Sequence, residues 1–304
     1  MYFEVANISA SLVSIIGWGI LVGLVFSTVG AAGGILASVG LISVFGIKDP
    51  NLVKPMAQAL TLVTPLIAVP LYMRQCRVVF ILAALLGVGG VLGALIGSTL
   101  SNLWLADMRL FKPVFAVLVF FIAGQIAWQL LRASAAGDEM SQTLRAAQNF
   151  MRHINRGGEA CDIGVSHQRV GMNKVLIEFG GETFSFHPWV PLLTGLGIAV
   201  LSSALGVGGG FLLVPFMSIV MRLPMYVIAG TSALAIAIHS ITSIANYVRL
   251  GVELDVALLA FLLSGVVIGS MIGPLVSRRI PEKGLRAFLS AVLFLIGLRY
   301  ISII

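Results

Sequence analysis

The chain has 304 residues, of which 59% are hydrophobic and 10% charged, and its mean hydropathy is +1.05. A soluble domain carries about 25% charged residues, so the composition excludes an ordinary soluble protein and predicts a membrane protein with several spans. The net charge of +7 indicates basic cytoplasmic loops, and no nucleic-acid partner is expected.

The chain begins with Met1-Tyr2-Phe3-Glu4 and has no basic stretch before its first apolar segment, so we expect no cleavable signal. Ten apolar segments follow, five on each side of a polar stretch. They lie at residues 9–29, 33–47, 56–73, 78–100 and 110–131, and then at 188–207, 210–221, 226–248, 254–277 and 285–303. We predict a first transmembrane repeat at 1–131, a cytoplasmic linker at 132–187 and a second transmembrane repeat at 188–304.

The second segment of each half, 33–47 or 210–221, is shorter than the roughly 20 apolar residues that a span requires. A glycine cluster precedes each of them, at 30–34 and at 206–210. Interrupted segments at matching positions in two halves are typical of transporters built from repeats. Each short segment is therefore predicted to be a half-helix, either spanning or re-entrant.

The two halves repeat with an offset of 176 residues. Gly33 and Gly34 match Gly209 and Gly210, and the row Gly89, Gly93 and Gly97 matches Gly265, Gly269 and Gly273. With inverted halves, thirteen Lys and Arg lie on the side of the central linker and six on the other side. With parallel halves the count is ten to nine. The positive-inside rule therefore favours inverted repeats, a cytoplasmic linker and both termini outside.

The central linker is predicted to contain an amphipathic helix over 132–155 and a β-hairpin. The hairpin joins Val175–Phe179 to Glu182–Phe186 through a Gly180-Gly181 turn. Cys76 and Cys161, the two cysteines of the chain, do not have metal-ligand spacing and are interpreted as unpaired, unreactive thiols. No metal or other cofactor is expected.

Both glycine clusters open a half-helix, whose free N–H groups and positive dipole end favour an anion. Glycine also lets backbone approach a ligand closely. Close helix packing is the alternative explanation, and it is preferred for the glycine rows of the full-length segments. The predicted anion site includes Gly33, Gly34, Gly208, Gly209 and Gly210, with the flanking Ser27, Thr28, Ser202 and Ser203.

The third segment of each half supplies further polar candidates: Gln58, Thr231, Ser232, His239 and Ser240. Any of these hydroxyls can instead bond back to its own helix. His239 is the ionisable residue well inside a predicted span, and such residues are functional candidates. It either assists an anionic substrate or bonds a neighbouring helix. His239 and Ser240 point about 100° apart on a helix and lack an orienting acid, so catalysis is not expected.

The second half resembles the TauE/SafE sulfite exporter family. The resemblance rests on residues 206–215 (GVGGGFLLVP), 229–232 (AGTS) and 264–273 (SGVVIGSMIG). The first half departs from the pattern with GAAGG at 30–34 and with Lys54-Pro55-Met56 where the second half has Gly230-Thr231-Ser232. The resemblance implies transport of sulfite or small organosulfonates across a bacterial inner membrane.

The sequence thus predicts an all-α multi-pass membrane protein that exports a small anion, either sulfite or an organosulfonate. Two alternatives stay open: a cation-coupled uptake permease for a sulfonate or carboxylate, and an anion channel. The expected partners are the substrate and the lipid bilayer. The sequence does not distinguish a monomer from a homo-oligomer.

Overall fold

The computed structural model describes residues 1–29, 33–133, 142–166, 168–171, 174–277 and 282–301. Its helices are α1 Leu12–Val29, α2 Gly33–Val39, α3 Pro50–Arg74, α4 Phe80–Trp104, α5 Met108–Ala133, α6 Gln142–Asn155, α7 Trp189–Leu205, α8 Gly210–Ile219, α9 Met225–Arg249, α10 Val256–Ser277 and α11 Glu282–Ile301. A π-helical turn, Gly40–Val44, extends α2. The strands are β1 Tyr2–Phe3, β2 Ile8–Ser9, β3 Gln168–Val170, β4 Val175–Phe179 and β5 Glu182–Phe186.

Within the described residues, four helices are long and apolar enough to cross a membrane: α3, α4, α9 and residues 108–128 of α5. Shorter apolar helices accompany them in both halves, and α2 and α8 are among these. The predicted all-α multi-pass architecture is confirmed. The predicted residues Gly30, Ala31, Ala32, Arg278 and Arg279 lie outside the described residues, as does the side chain of Thr28.

The helix α3 begins six residues before the predicted segment. Asp49 is the residue before the helix, and its carboxylate accepts the N–H of Asn51 at 2.8 Å. Pro50 occupies the first turn, where its missing N–H costs nothing. The earlier start places Lys54 inside a membrane helix instead of in the loop before it.

Rows of glycine join each half to the other. A Cβ added at Gly93 of α4 would meet the Leu196 carbonyl of α7, and one at Gly269 of α10 would meet the Ile20 carbonyl of α1. Backbone therefore lies directly against backbone in both pairs, as in membrane helices with small residues at their interface. The packing interpretation of these rows is confirmed, apart from Gly273, whose surroundings are not described.

The same contacts give the relative directions of the helices. Gly89 packs against Leu192 and Gly97 against Val200, so α4 and α7 are parallel. By the same reasoning α1 and α10 are parallel, because Gly19 packs against the Leu262 carbonyl and Gly23 packs against Val266.

The helices α4 and α9 are also parallel. The start of α4 bonds the start of α9 through Val79 and Thr231, and their ends meet at Ser98 and Asn246. A short turn at 250–255 then reverses the chain from α9 into α10. It follows that α1 runs opposite to α7, and the two halves are inverted.

The polar linker folds into what we call the cap, residues 142–186, described apart from 167, 172 and 173. The predicted hairpin is confirmed: β4 pairs with β5 in antiparallel register, and Gly180 and Gly181 form its turn with φ of 61° and 78°. A third strand, β3, pairs with β4. The helix predicted over 132–155 is observed as α6, Gln142–Asn155, while residues up to 133 belong to α5.

The cap shares a hydrophobic core with the membrane helices. Phe150, Ile177 and Phe179 of the cap are buried in one cluster with Leu82 of α4 and Val227 of α9. The two cysteines lie at this junction and form a Cys76–Cys161 disulfide. The prediction of unpaired thiols was wrong, because residues 85 positions apart are brought together only when the cap folds onto the turn between α3 and α4.

Candidate functional site

The second glycine cluster forms the connection between α7 and α8. Gly206, Gly208 and Gly209 all adopt left-handed backbone, with φ of 73°, 76° and 63°. Side chains other than glycine rarely adopt this region. The glycines are therefore required by the shape of the break itself, in addition to any role in binding.

This break lies at the middle depth of the helix bundle. A Cβ added at Gly208 would lie 2.7 Å from Thr61 Oγ1, and one at Gly209 would lie 2.8 Å from Nε2 of His239. Thr61 and His239 are close to the centres of the 25-residue helices α3 and α9. The ten residues of α8 span about 15 Å, half of a bilayer core, so α8 by itself is a half-helix.

Polar side chains gather around this break. Gln58, Ser202 and His239 are each at most 2% exposed. The Gln58 amide donates to the Ser202 carbonyl at 3.1 Å, and the Ser202 hydroxyl would lie 3.3 Å from a Cβ at Gly209. The sequence prediction thus selected residues from four separate segments that meet at one place.

Several polar atoms in this region make no hydrogen bond to any described residue. They are Gln58 Oε1, Ser202 Oγ, Ser203 Oγ, His239 Nε2, Ser240 Oγ and Ser243 Oγ. A buried polar group without a partner costs about 1–3 kcal/mol, and native proteins keep few of them. Such a group of unpartnered atoms, of which those of Ser202 and His239 lie beside Gly209, indicates a place for a polar ligand. We call these six residues, with Gly208 and Gly209, the polar cluster.

The electrostatics of the polar cluster favour an anion. It lies at the amino end of α8, where the helix dipole is positive, while the N–H groups of Gly210, Leu212 and Leu213 already donate to the Gly208 and Gly209 carbonyls. Its hydroxyls and imidazole can donate hydrogen bonds, while the unpartnered Oε1 of Gln58 is an acceptor. The one buried carboxylate of the described residues, Asp255, lies at the start of α10 and accepts the N–H groups of Ala6 and Leu258.

The first glycine cluster has a different environment. Both Gly33 and Gly34 are buried at the start of α2. A Cβ added at Gly33 would strike the Phe26 ring, and one added at Gly34 would strike the Val207 carbonyl of the other break. The two breaks therefore touch, and the described part of the first one is filled by protein.

A cavity of about 210 Å³ leads toward the polar cluster from the face that carries the cap. Its walls come from α1, α3, α8 and α9 and include Ser27, Thr64 and Ser232. Tyr72 and Met225, at the cap-side ends of α3 and α9, line the end of the cavity nearest the cap, which we call its mouth. Thr61 and His239 lie one turn beyond the cavity wall on the same two helices, so the cavity and the polar cluster are adjacent.

Three of the predicted residues have structural bonds instead. Thr231 is buried, and its hydroxyl accepts the N–H of Val79 at 3.1 Å, just before α4. Ser27 lines the cavity but bonds back to the Leu24 carbonyl at 3.1 Å. Gly210 is the first residue of α8 and donates its N–H to the Gly208 carbonyl at 2.7 Å.

Sequence reasoning missed the environment of Lys54. Its ammonium group is buried and donates to Asn51 Oδ1 at 3.0 Å and to the carbonyls of Ser101 and Leu105 at 3.3 and 2.8 Å. These carbonyls end α4, where a cation is favourable. Asp49 followed by Pro50 is typical of the start of a helix. From this pair the sequence alone could have placed Lys54 inside α3.

Inverted halves, two touching half-helix breaks and a buried donor-rich cluster define a multi-pass membrane protein of the transporter class. Residues 15–300 match the family described as sulfite exporter TauE/SafE. Since this covers nearly the whole chain, the protein belongs to that family, and membership implies membrane transport of sulfite or related sulfur anions. No curated protein and no solved structure gives a significant match.

Proposed function

We propose that this protein is a secondary transporter that exports sulfite or a related organosulfonate across a bacterial inner membrane. The observation that carries the proposal is the polar cluster: buried donors without partners, at the amino end of a half-helix. A sulfur oxyanion presents several acceptor oxygens and a negative charge, which these donors complement. Binding and release of an ion fit this arrangement better than catalysis does.

Export follows from the charge of the substrate. A membrane potential that is negative inside drives an anion outward with about 2.3 kcal/mol per charge per 100 mV. Uptake of the same anion requires a coupled cation. The described residues contain no group of three or more His, Cys, Asp or Glu that could hold a metal ion, and the polar cluster contains no carboxylate.

Counterflow in proteoliposomes tests the proposal. Vesicles preloaded with unlabelled sulfite should accumulate radiolabelled sulfite transiently and saturably, and external sulfite should compete better than sulfate. Exchange that does not saturate would indicate an anion channel. Absence of exchange by the folded protein would reject sulfite. Competition by organosulfonates or carboxylates that depends on a cation gradient would support the uptake alternative.

The orientation of the cap is a separate part of the proposal. Charge counting predicts a cytoplasmic cap, yet all but one of the excess basic residues belong to 132–187. Without those six, seven Lys and Arg on the cap side face six on the other side. The Cys76–Cys161 disulfide favours the opposite side, since disulfides persist in oxidising compartments. We therefore assign the cap to the outer face, where the cavity becomes the release path of an exporter.

Cysteine labelling in intact cells tests this orientation. A Cys76→Ser variant leaves the exposed Cys161 as the single thiol of the chain. A membrane-impermeant maleimide should label it in intact cells, while the Cys76→Ser/Cys161→Ser variant should give no signal. Labelling only in inside-out vesicles would restore the cytoplasmic cap predicted from charge.

A further inference from the structure

The disulfide joins two parts of the molecule next to the cavity mouth. Cys76 lies in the turn between α3 and α4, and Cys161 lies in the cap between α6 and β3. Cys161 is exposed and Cys76 is half-buried. The disulfide therefore lies at the protein surface on the cap side, unlike a fully buried structural disulfide.

The disulfide fastens the cap to a turn that supports the mouth. Beside it, the Val165 N–H donates to the Cys76 carbonyl at 2.7 Å. In the same turn, the Arg77 guanidinium lies 4.8 Å from the Tyr72 ring centre and 4.7 Å from that of Tyr226. Since Tyr72 lines the cavity, the attachment of the cap is mechanically linked to the mouth.

The two cysteines of the disulfide differ in their charged neighbours, and those of Cys76 favour a thiolate. Arg74 and Arg77 flank Cys76 within two residues, and nearby cations stabilise a thiolate. On the other side, the carboxylate next to Cys161, that of Asp162, is occupied by His153 at a distance of 2.9 Å. The basic neighbours therefore lie on the Cys76 side of the disulfide, and the acidic ones, Glu159 and the paired Asp162, on the Cys161 side.

Sulfite has a nucleophilic sulfur atom and belongs to the substrate class proposed above. We propose that the Cys76–Cys161 disulfide is a reversible modification site for sulfite. The sulfur of sulfite bonds Cys161 Sγ and forms an S-sulfonate, while the S–S bond breaks and its electron pair leaves with Cys76 as a thiolate. The reverse attack of that thiolate re-forms the disulfide and releases sulfite, so no further oxidant or reductant is needed.

The direction of attack follows from exposure and charge. In exchange at a disulfide, the accessible sulfur is attacked and the thiol with the lower pKa leaves faster. Cys161 is the more exposed partner, and Cys76 is the one flanked by arginines. The modification would free the cap from the α3–α4 turn when sulfite accumulates on the cap side, and this role rests on the proposed function.

The reaction is tested on the purified full chain in lipid vesicles with the cap facing the bath. After incubation with sulfite, acid quenching and alkylation, mass spectrometry should find an S-sulfonate on Cys161 and an alkylated thiol on Cys76. Sulfate, an oxyanion without a nucleophilic sulfur, should leave the disulfide intact. Removal of sulfite before quenching should restore the disulfide. In an Arg74→Gln variant the reaction should be several-fold slower.

Modification and transport give separate readouts. Counterflow without an S-sulfonate, at sulfite concentrations that saturate exchange, would overturn this inference and leave the transport proposal standing. An S-sulfonate without counterflow would reject the transport proposal and leave the modification site standing. A pair that is already reduced in protein isolated under thiol-trapping conditions, or that reacts only after denaturation, would also overturn the inference. The Cys76→Ser/Cys161→Ser variant should transport sulfite without this modification.

Discussion

The two half-helix breaks occupy equivalent positions but differ in what surrounds them. The break before α8 uses three glycines in left-handed backbone and faces the imidazole of His239. At the start of α2, Gly33 and Gly34 pack against Phe26 and the Val207 carbonyl. Among the described residues, unpartnered polar side chains therefore surround the break before α8, while protein packs against the start of α2.

The same asymmetry appears where α3 and α9 begin. With the offset of 176 residues, Lys54 corresponds to Gly230, and Pro55 to Thr231. The ammonium group of Lys54 bonds carbonyls at the carboxyl end of α4, and the hydroxyl of Thr231 bonds an N–H at its amino end. Each group matches the unsatisfied backbone at that end of the helix. The departures from repeat symmetry thus stabilise opposite ends of a single helix.

The largest effect is expected from Gly209→Ala. The variant would hold alanine in left-handed backbone, which residues other than glycine rarely adopt. Its methyl group would also lie 2.8 Å from the His239 ring. Counterflow should fall at least a hundredfold while the protein still reaches the membrane. The matched control is Gly197→Ala in α7, where an added Cβ meets nothing within 4 Å. Equal activity of both variants would place the binding site elsewhere.

Gly34→Ala should act on stability. Its Cβ would strike the Val207 carbonyl, which is backbone and cannot turn aside. We expect a lower melting temperature and a lower yield of folded protein, with substrate affinity preserved in the fraction that folds. Gly124→Ala in α5, also an open position, serves as the control. A stable Gly34→Ala protein with weakened substrate binding would mean that both breaks bind the substrate.

A smaller effect on affinity is expected from Ser202→Ala. A hydrogen bond to a charged group contributes about 1.5–3 kcal/mol. The sulfite concentration that half-saturates counterflow should therefore rise roughly tenfold or more. The melting temperature should not fall, because the Ser202 hydroxyl has no partner within the described structure. Ser264→Ala is the control, since that exposed serine bonds its own helix at Phe261. Unchanged half-saturation in both would remove Ser202 from the site.

The smallest effect is expected from Thr231→Val. The hydroxyl satisfies the Val79 N–H, and loss of a helix-capping bond costs about 1 kcal/mol. Thermal unfolding should shift slightly, with little change in half-saturation. Weak sulfite binding at normal stability would be the opposite result. It would support the prediction from the sequence that Thr231 belongs to the anion site.

Much of the site could be predicted because its signals are local in the sequence. Glycines that interrupt an apolar segment mark a break wherever the helix later packs, and Ser202 or His239 inside such segments mark polar atoms at membrane depth. The Cys76–Cys161 disulfide and the buried position of Lys54 were not predictable in this way. Both depend on partners from other elements: the cap for Cys76, and the end of α4 for Lys54.

Apolar content, repeat spacing and glycine placement thus determined the membrane class, the internal repeat and the position of each break, because backbone that leaves a helix inside a bilayer must be accommodated by nearby residues. The tertiary structure decided which break keeps unpartnered donors and which is filled. That choice depends on contacts between distant segments, Gly34 with Val207 and Gly209 with His239, and such pairings have no signature in either segment alone.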